Sequence, residues 1–143
     1  MKRRATTVAI IIAALALGLP AAAGADEDRR PARCAASTGW SCSHYDGKDL
    51  FSAAATKRGG SGHQVSGRYH KKTRELEVCD RFPNGHATYV YLSISGHGTA
   101  RYRSHGSNTC TSHTAPAHGK MTMQVCTSLS PKAICTKAYG FNG

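Results

Sequence analysis

Carboxylates are scarce in this chain: eight Asp and Glu stand against 19 Lys and Arg in 143 residues. Past residue 33 only Asp46, Asp49, Glu75, Glu77 and Asp80 remain, so chemistry that needs paired carboxylates has few places to be built. Glu75 and Glu77 alternate along a strand-like run, where the plain reading is a solvent-facing pair opposite Lys or Arg. Local metal signatures are missing too. The histidines His44, His63, His70, His86, His97, His105, His113 and His118 form no HExxH or HxH pattern, so a zinc site or a ribonuclease pair would have to converge from scattered loops. There is no G-x-S-x-G elbow, and Ser61 in "GGSGH" reads as part of a flexible linker. Nothing repeats with a period of roughly 20 to 50 residues. After the N-terminus no second long apolar run follows, which excludes a membrane anchor in the remainder.

What is present begins with "MKRRATTVAIIIAALALGLPAAAGA". Lys2, Arg3 and Arg4 precede an apolar run from Val8 to Leu19, then Pro20 and small residues, the pattern of a secretory signal cleaved after Ala25. The domain organisation is therefore 1–25 signal peptide, 26–33 flexible tail and 34–143 folded domain, an exported, extracellular product. Removing the three basic residues leaves 16 Lys and Arg against 8 Asp and Glu, a net charge of +8 with histidines neutral. That charge favours acidic partners and suits polyanion binding, and it serves solubility equally well.

Six cysteines, Cys34, Cys42, Cys79, Cys110, Cys126 and Cys135, read in an exported chain as three disulfides. Proximity and strand order favour Cys34 with Cys42, Cys79 with Cys110, and Cys126 with Cys135. No thiol is then left as a nucleophile or metal ligand. A small domain buries a modest share of its surface and profits from such staples.

Hydrophobic alternation makes the domain mainly β. "QVSGRYH" and "RELEVCD" flank a turn at Lys71 to Thr73, and in "ATYVYLSIS" Thr88, Val90, Leu92 and Ile94 share a face. "TARYRS" and "KMTMQVCTS" continue the pattern, with Met121, Met123 and Val125 on one face, and a last strand spans Ile134 to Tyr139. Asn84-Gly85 in "FPNGH" signals a hairpin between the strands on either side. Asp80 is expected to bind the turn backbone, and His86 to be a solvated turn residue. Asp49 caps a short helix over Leu50 to Lys57 that ends at Gly59-Gly60, and "GSNTCTSHTAPAHG" reads as a long loop. The expected architecture is a small antiparallel β-sandwich with one short helix and three disulfides.

Two segments carry binding potential. Asp26, Glu27, Asp28, Arg29, Arg30, Pro31 and Arg33 form a charged tail with nothing to pack, whose arginines suit acidic groups and whose proline keeps it extended. Arg68 with Tyr69 and Arg101 with Tyr102 interleave basic and aromatic residues in a way that suits stacking on bases or sugars.

"VCDRFPNGHATYVYLSISG", a cysteine loop and "MQVCTSLSPKAICTKAYG" together resemble the small secreted disulfide-stapled β proteins of actinobacteria. In size, charge and layout the chain is similar to UmbB, the adaptor family of umbrella toxin particles. That resemblance implies a non-enzymatic adaptor in interbacterial competition, which bridges a large toxin polypeptide to a lectin with a trypsin-like domain. It maps the family's docking extension onto Asp26 through Arg33. No cofactor, metal or catalytic residue is expected. Two other readings stay open: a basic ribonuclease-like or antimicrobial effector, and a protease inhibitor presenting the Cys126 to Cys135 loop with Lys132 as its specificity residue.

Overall fold

The computed structural model describes residues 32–143; the signal-peptide reading and the tail residues Asp26 through Pro31 lie outside them. The described chain is mainly β, as its alternation demands. Its strands are β1 (Ala32–Arg33), β2 (Trp40–Asp46), β3 (Leu50–Lys57), β4 (Gln64–His70), β5 (Glu75–Asp80), β6 (Tyr89–Ile94), β7 (Gly98–Arg103), β8 (Thr109–Thr114), β9 (Lys120–Cys126), β10 (Ile134–Cys135) and β11 (Tyr139–Asn142). A single 3-10 turn spans Ala36–Thr38. Among the described residues no helix is long and apolar enough to cross a membrane.

Two sheets face each other. The first runs β2-β3-β4-β5-β8, all antiparallel. The second runs β1-β10-β9-β6-β7, with β11 also paired to β9 and β1 parallel to β10. Between them lie Phe51, Val65, Tyr69, Leu76 and Val78 from the first sheet, and Val90, Leu92, Met121, Met123, Val125 and Phe141 from the second. Phe51 and Phe141 stack almost parallel, with ring centroids 3.9 Å apart. Burying such side chains contributes about 1.5 to 3 kcal/mol each.

The expected helix at Leu50 to Lys57 is a strand. Phe51, Ala53 and Ala55 are all buried and alternate with half-exposed Ser52, Ala54 and Thr56, and β3 is laddered on both sides. The alanines serve close packing rather than helix propensity. Ala53 pairs with Gly67, where an added Cβ would lie 2.9 Å from Met123 Sδ and 3.0 Å from Val90 Cγ2. Small residues here let the sheets approach at the centre of the core. Gly59 to Gly62, expected to end a helix or to form a linker, instead belong to the β3–β4 turn, which Lys57 N–H closes on the His63 carbonyl at 2.9 Å.

The hairpin expected across "FPNGH" is also corrected. β5 pairs with β4 and β8, whereas β6 pairs with β7 and β9, so the segment crosses from one sheet to the other. Its local turn chemistry holds: Gly85 has φ 73°, Asn84 Oδ1 accepts the His86 N–H, and Asp80 Oδ1 accepts the Phe82 N–H. His86 is exposed. The segment read as a long loop contains β8, which flanks β5 in full register. The last strand is two pieces, because the buried Thr136 hydroxyl accepts Val125 N–H and donates to the Lys137 carbonyl, turning the chain out between β10 and β11.

All three disulfides join the expected partners: Cys34–Cys42, Cys79–Cys110 and Cys126–Cys135. Cys79 and Cys110 face each other across β5 and β8, and Cys126 and Cys135 across β9 and β10.

Candidate interaction surfaces

Alternation along the strands dictates where the basic and aromatic residues point. Arg68 leaves the outer face of the first sheet and pairs with Glu77 at 3.3 Å, as expected for a carboxylate on that face. Tyr69, its neighbour, points the other way and is completely buried. It offers no face for stacking. Arg101 leaves the outer face of the second sheet, its guanidinium 5.7 Å from the Tyr89 ring centroid, while Tyr102 turns inward to His113, 5.2 Å away. The four residues thus divide between two opposite outer faces and the interior. They do not form one basic, aromatic strip.

The outer face of the second sheet carries a different feature. Tyr89 and Tyr91 pack on the Cys126–Cys135 disulfide and Ala133. The stapled loop 127–133 rises beside them and borders an open hollow of about 460 Å3 lined by Tyr91, Gln124, Ser128, Leu129, Pro131 and Ala133. That loop is well held. Thr127 N–H donates to the Ile134 carbonyl, Ile134 N–H to Thr127 Oγ1, Ala133 N–H to the Ser130 carbonyl, and Asn84 Nδ2 to the Thr127 carbonyl. Leu129 is 48% exposed at its tip, and Lys132 is exposed as well.

A third place is the cleft at the edge where β2 faces β10 and β11, about 300 Å3 in volume, lined by Arg33, Cys34, Cys42, Lys137 and Tyr139. Arg33 is fixed there by β1, paired with Cys135, and its carbonyl accepts the Thr38 hydroxyl. The expectation of a tail free up to Cys34 therefore needs correcting at its last two residues. Lys137 stands where Thr136 turns the chain out, its Nζ 5.2 Å from the Tyr139 ring centroid. His44 stacks on the same ring at 4.2 Å. Arg33, expected as a binding residue of the tail, and the pairing of Cys34 with Cys42 both pointed to this edge, whereas nothing in the sequence marked His44, Lys137 and Tyr139 as part of it.

Titratable groups in the interior have structural explanations. Burial raises the Asp80 carboxyl above the usual carboxylate range, opposed by the hydrogen bond from Phe82 N–H and by the neighbouring Thr88 and Ser104 groups. Burial likewise raises the Tyr69 and Tyr102 phenols. Among the described residues Glu77, Cys79 and Cys110 come within metal-ligand distance of one another, but both sulfurs are consumed in a disulfide. Compared with protein-family models, with curated proteins and with solved structures, the chain matches none.

Proposed function

We propose that this protein is a secreted, non-enzymatic interaction module: an adaptor that offers one partner the tail from Asp26 to Pro31, rooted at Arg33, and another partner the stapled β domain, as in an extracellular toxin particle. The carrying observation is the way the root of the tail is held. Arg33 is laddered to β10 and followed at once by the Cys34–Cys42 staple, so any peptide preceding it departs from a rigid edge. Three disulfides suit an oxidising, extracellular compartment. A charged peptide on such a mount supplies main-chain and guanidinium contacts to a groove on a partner.

The test is affinity purification of a C-terminally tagged chain from its native culture medium, followed by size-exclusion chromatography and mass spectrometry. Co-elution with a much larger secreted polypeptide and a lectin-like or protease-like subunit is the expected result. Elution as a lone monomer would sink the adaptor reading.

A second reading, protease inhibition, draws on one observation: loop 127–133 is braced by hydrogen bonds and a disulfide while Leu129 projects from it. Stoichiometric inhibition of trypsin through Lys132, or of a chymotrypsin-like enzyme through Leu129, would support it. Absence of inhibition of both would dismiss it.

A further inference from the structure

We propose that the cleft flanked by Arg33 and Lys137 is a receptor for carboxylate side chains on an extended acidic segment of a partner protein. The inference rests on the adaptor reading only for the existence of that partner; the site belongs to this chain alone.

Charge is the first argument. Among the described residues the acids Asp46, Asp49 and Glu77 are engaged by Lys71, Lys72 and Arg68. Arg33 and Lys137 have no such partner there, and no carboxylate of the described residues lines the cleft. Two cations at one concavity in a protein of strong positive charge form a site complementary to anions.

Shape decides which anion. The Tyr139 ring is covered by His44 and Lys137 and is 7% exposed, so it has no free face on which a nucleic-acid base could stack. The cleft is small, at the lower end of volumes that hold ligands. It is also bordered by an edge strand: among the described strands β2 is laddered to β3 alone, and its Cys42 lines the cleft. An extended peptide can follow the free backbone groups of such an edge and place alternate side chains in the cleft. Arg33 supplies a bidentate fork for one carboxylate, and Lys137 a point charge for the next.

The experiment uses the secreted form of the full chain and a fluorescent peptide of alternating Glu and Gly residues. Saturable binding is expected, weakened at least about tenfold by the double variant Arg33→Glu, Lys137→Glu. The charge-matched variant Arg81→Glu, Arg103→Glu, with both changes away from the cleft, should weaken it less than about twofold. Melting temperatures of both variants verify folding. Equal weakening by the two variants would reduce the effect to net charge and overturn the site, as would failure of the peptide to bind. A single-stranded oligothymidine lost selectively in the cleft variant would overturn the peptide assignment in favour of nucleic acid. The titration needs no native partner, so its failure leaves the co-elution test standing, and the reverse also holds.

Discussion

The two long sides of the sandwich are closed by different means. Where β7 meets β8, polar groups join the sheets beside the tilted, half-exposed Tyr102–His113 pair: His113 Nε2 donates to the Arg103 carbonyl at 2.9 Å, and His105 N–H donates to Thr111 Oγ1 at 3.0 Å. Where β2 and β3 meet β11, aromatic rings join them, Phe51 on Phe141 and His44 on Tyr139, with the Cys34–Cys42 staple beside them. Hydrogen bonds between groups that water can also reach add little net stability, whereas buried rings add much. The aromatic side can therefore hold an open cleft at its rim without loosening the core, and the polar side contributes closure more than stability.

The sharpest way to break that comparison is truncation of one ring on each side. Phe141→Ala, at a buried and stacked position, should cost about 3 to 5 kcal/mol. Tyr102→Ala, half-buried beside His113, should cost about 1 to 2 kcal/mol. Urea unfolding of both variants decides it, and equal losses would show the two sides to be equivalent.

Disulfide removal comes next and separates stability from binding. Cys79 and Cys110 are 31 residues apart, and Cys34 and Cys42 only 8. On the chain-entropy argument, replacing the first pair by alanine should cost about 4 kcal/mol and the second about 2.5 kcal/mol. The smaller loss should carry the larger functional effect, because Cys34 and Cys42 line the cleft. Acidic-peptide titration of both double variants, alongside their unfolding curves, tests the crossing-over.

Much of the second sheet was legible in advance because one face of each strand is buried and the other is not. Thr88, Val90, Leu92 and Ile94 are all buried, with Tyr89, Tyr91 and Ser93 half-exposed between them. The first sheet was harder to read. Alanines in β3 favour helix by propensity, and what makes them strand residues is the pairing of β3 with β2 and β4 on either side, which the local sequence does not display. Asn84-Gly85 announced a turn correctly, but a turn does not specify which sheet receives the next strand. The cleft was illegible for the same reason: Arg33 and Lys137 lie at opposite ends of the domain, and only the fold brings them together. The disulfides were read correctly because each joins cysteines close in sequence or on adjacent strands.

A smaller effect probes the polar side through pH. Asp80 is buried where β5 leaves the first sheet, and its folded-state carboxyl titrates above the ordinary range because of that burial. Such a group favours the folded state most when protonated. Its contribution is fully present below the unfolded value, about 4, and is lost as pH rises through the folded value. Asp80→Asn keeps an oxygen for the Phe82 N–H and removes the buried charge. The variant should melt higher than the parent at pH 7, and that advantage should vanish near about pH 4. A constant difference across the range would mean that Asp80 acts by packing or hydrogen bonding instead.

The smallest expected change in stability is the one with the greatest bearing on function. Deleting residues 26–31 spares β1 and should leave the melting temperature nearly unchanged, since those residues add a charged, proline-containing stretch with nothing apolar to bury. Extending the deletion through Arg33 removes the β1–β10 pairing and the carbonyl that accepts the Thr38 hydroxyl, and should lower stability by about 1 kcal/mol. Under the adaptor reading both deletions abolish co-elution with the partner that binds the tail. Only the longer one should also weaken acidic-peptide binding, because it alone takes Arg33 from the cleft. A shorter deletion that weakened both equally would mean that the cleft and the tail are one site, and the separation between a rigid edge and the peptide it displays would have to be abandoned.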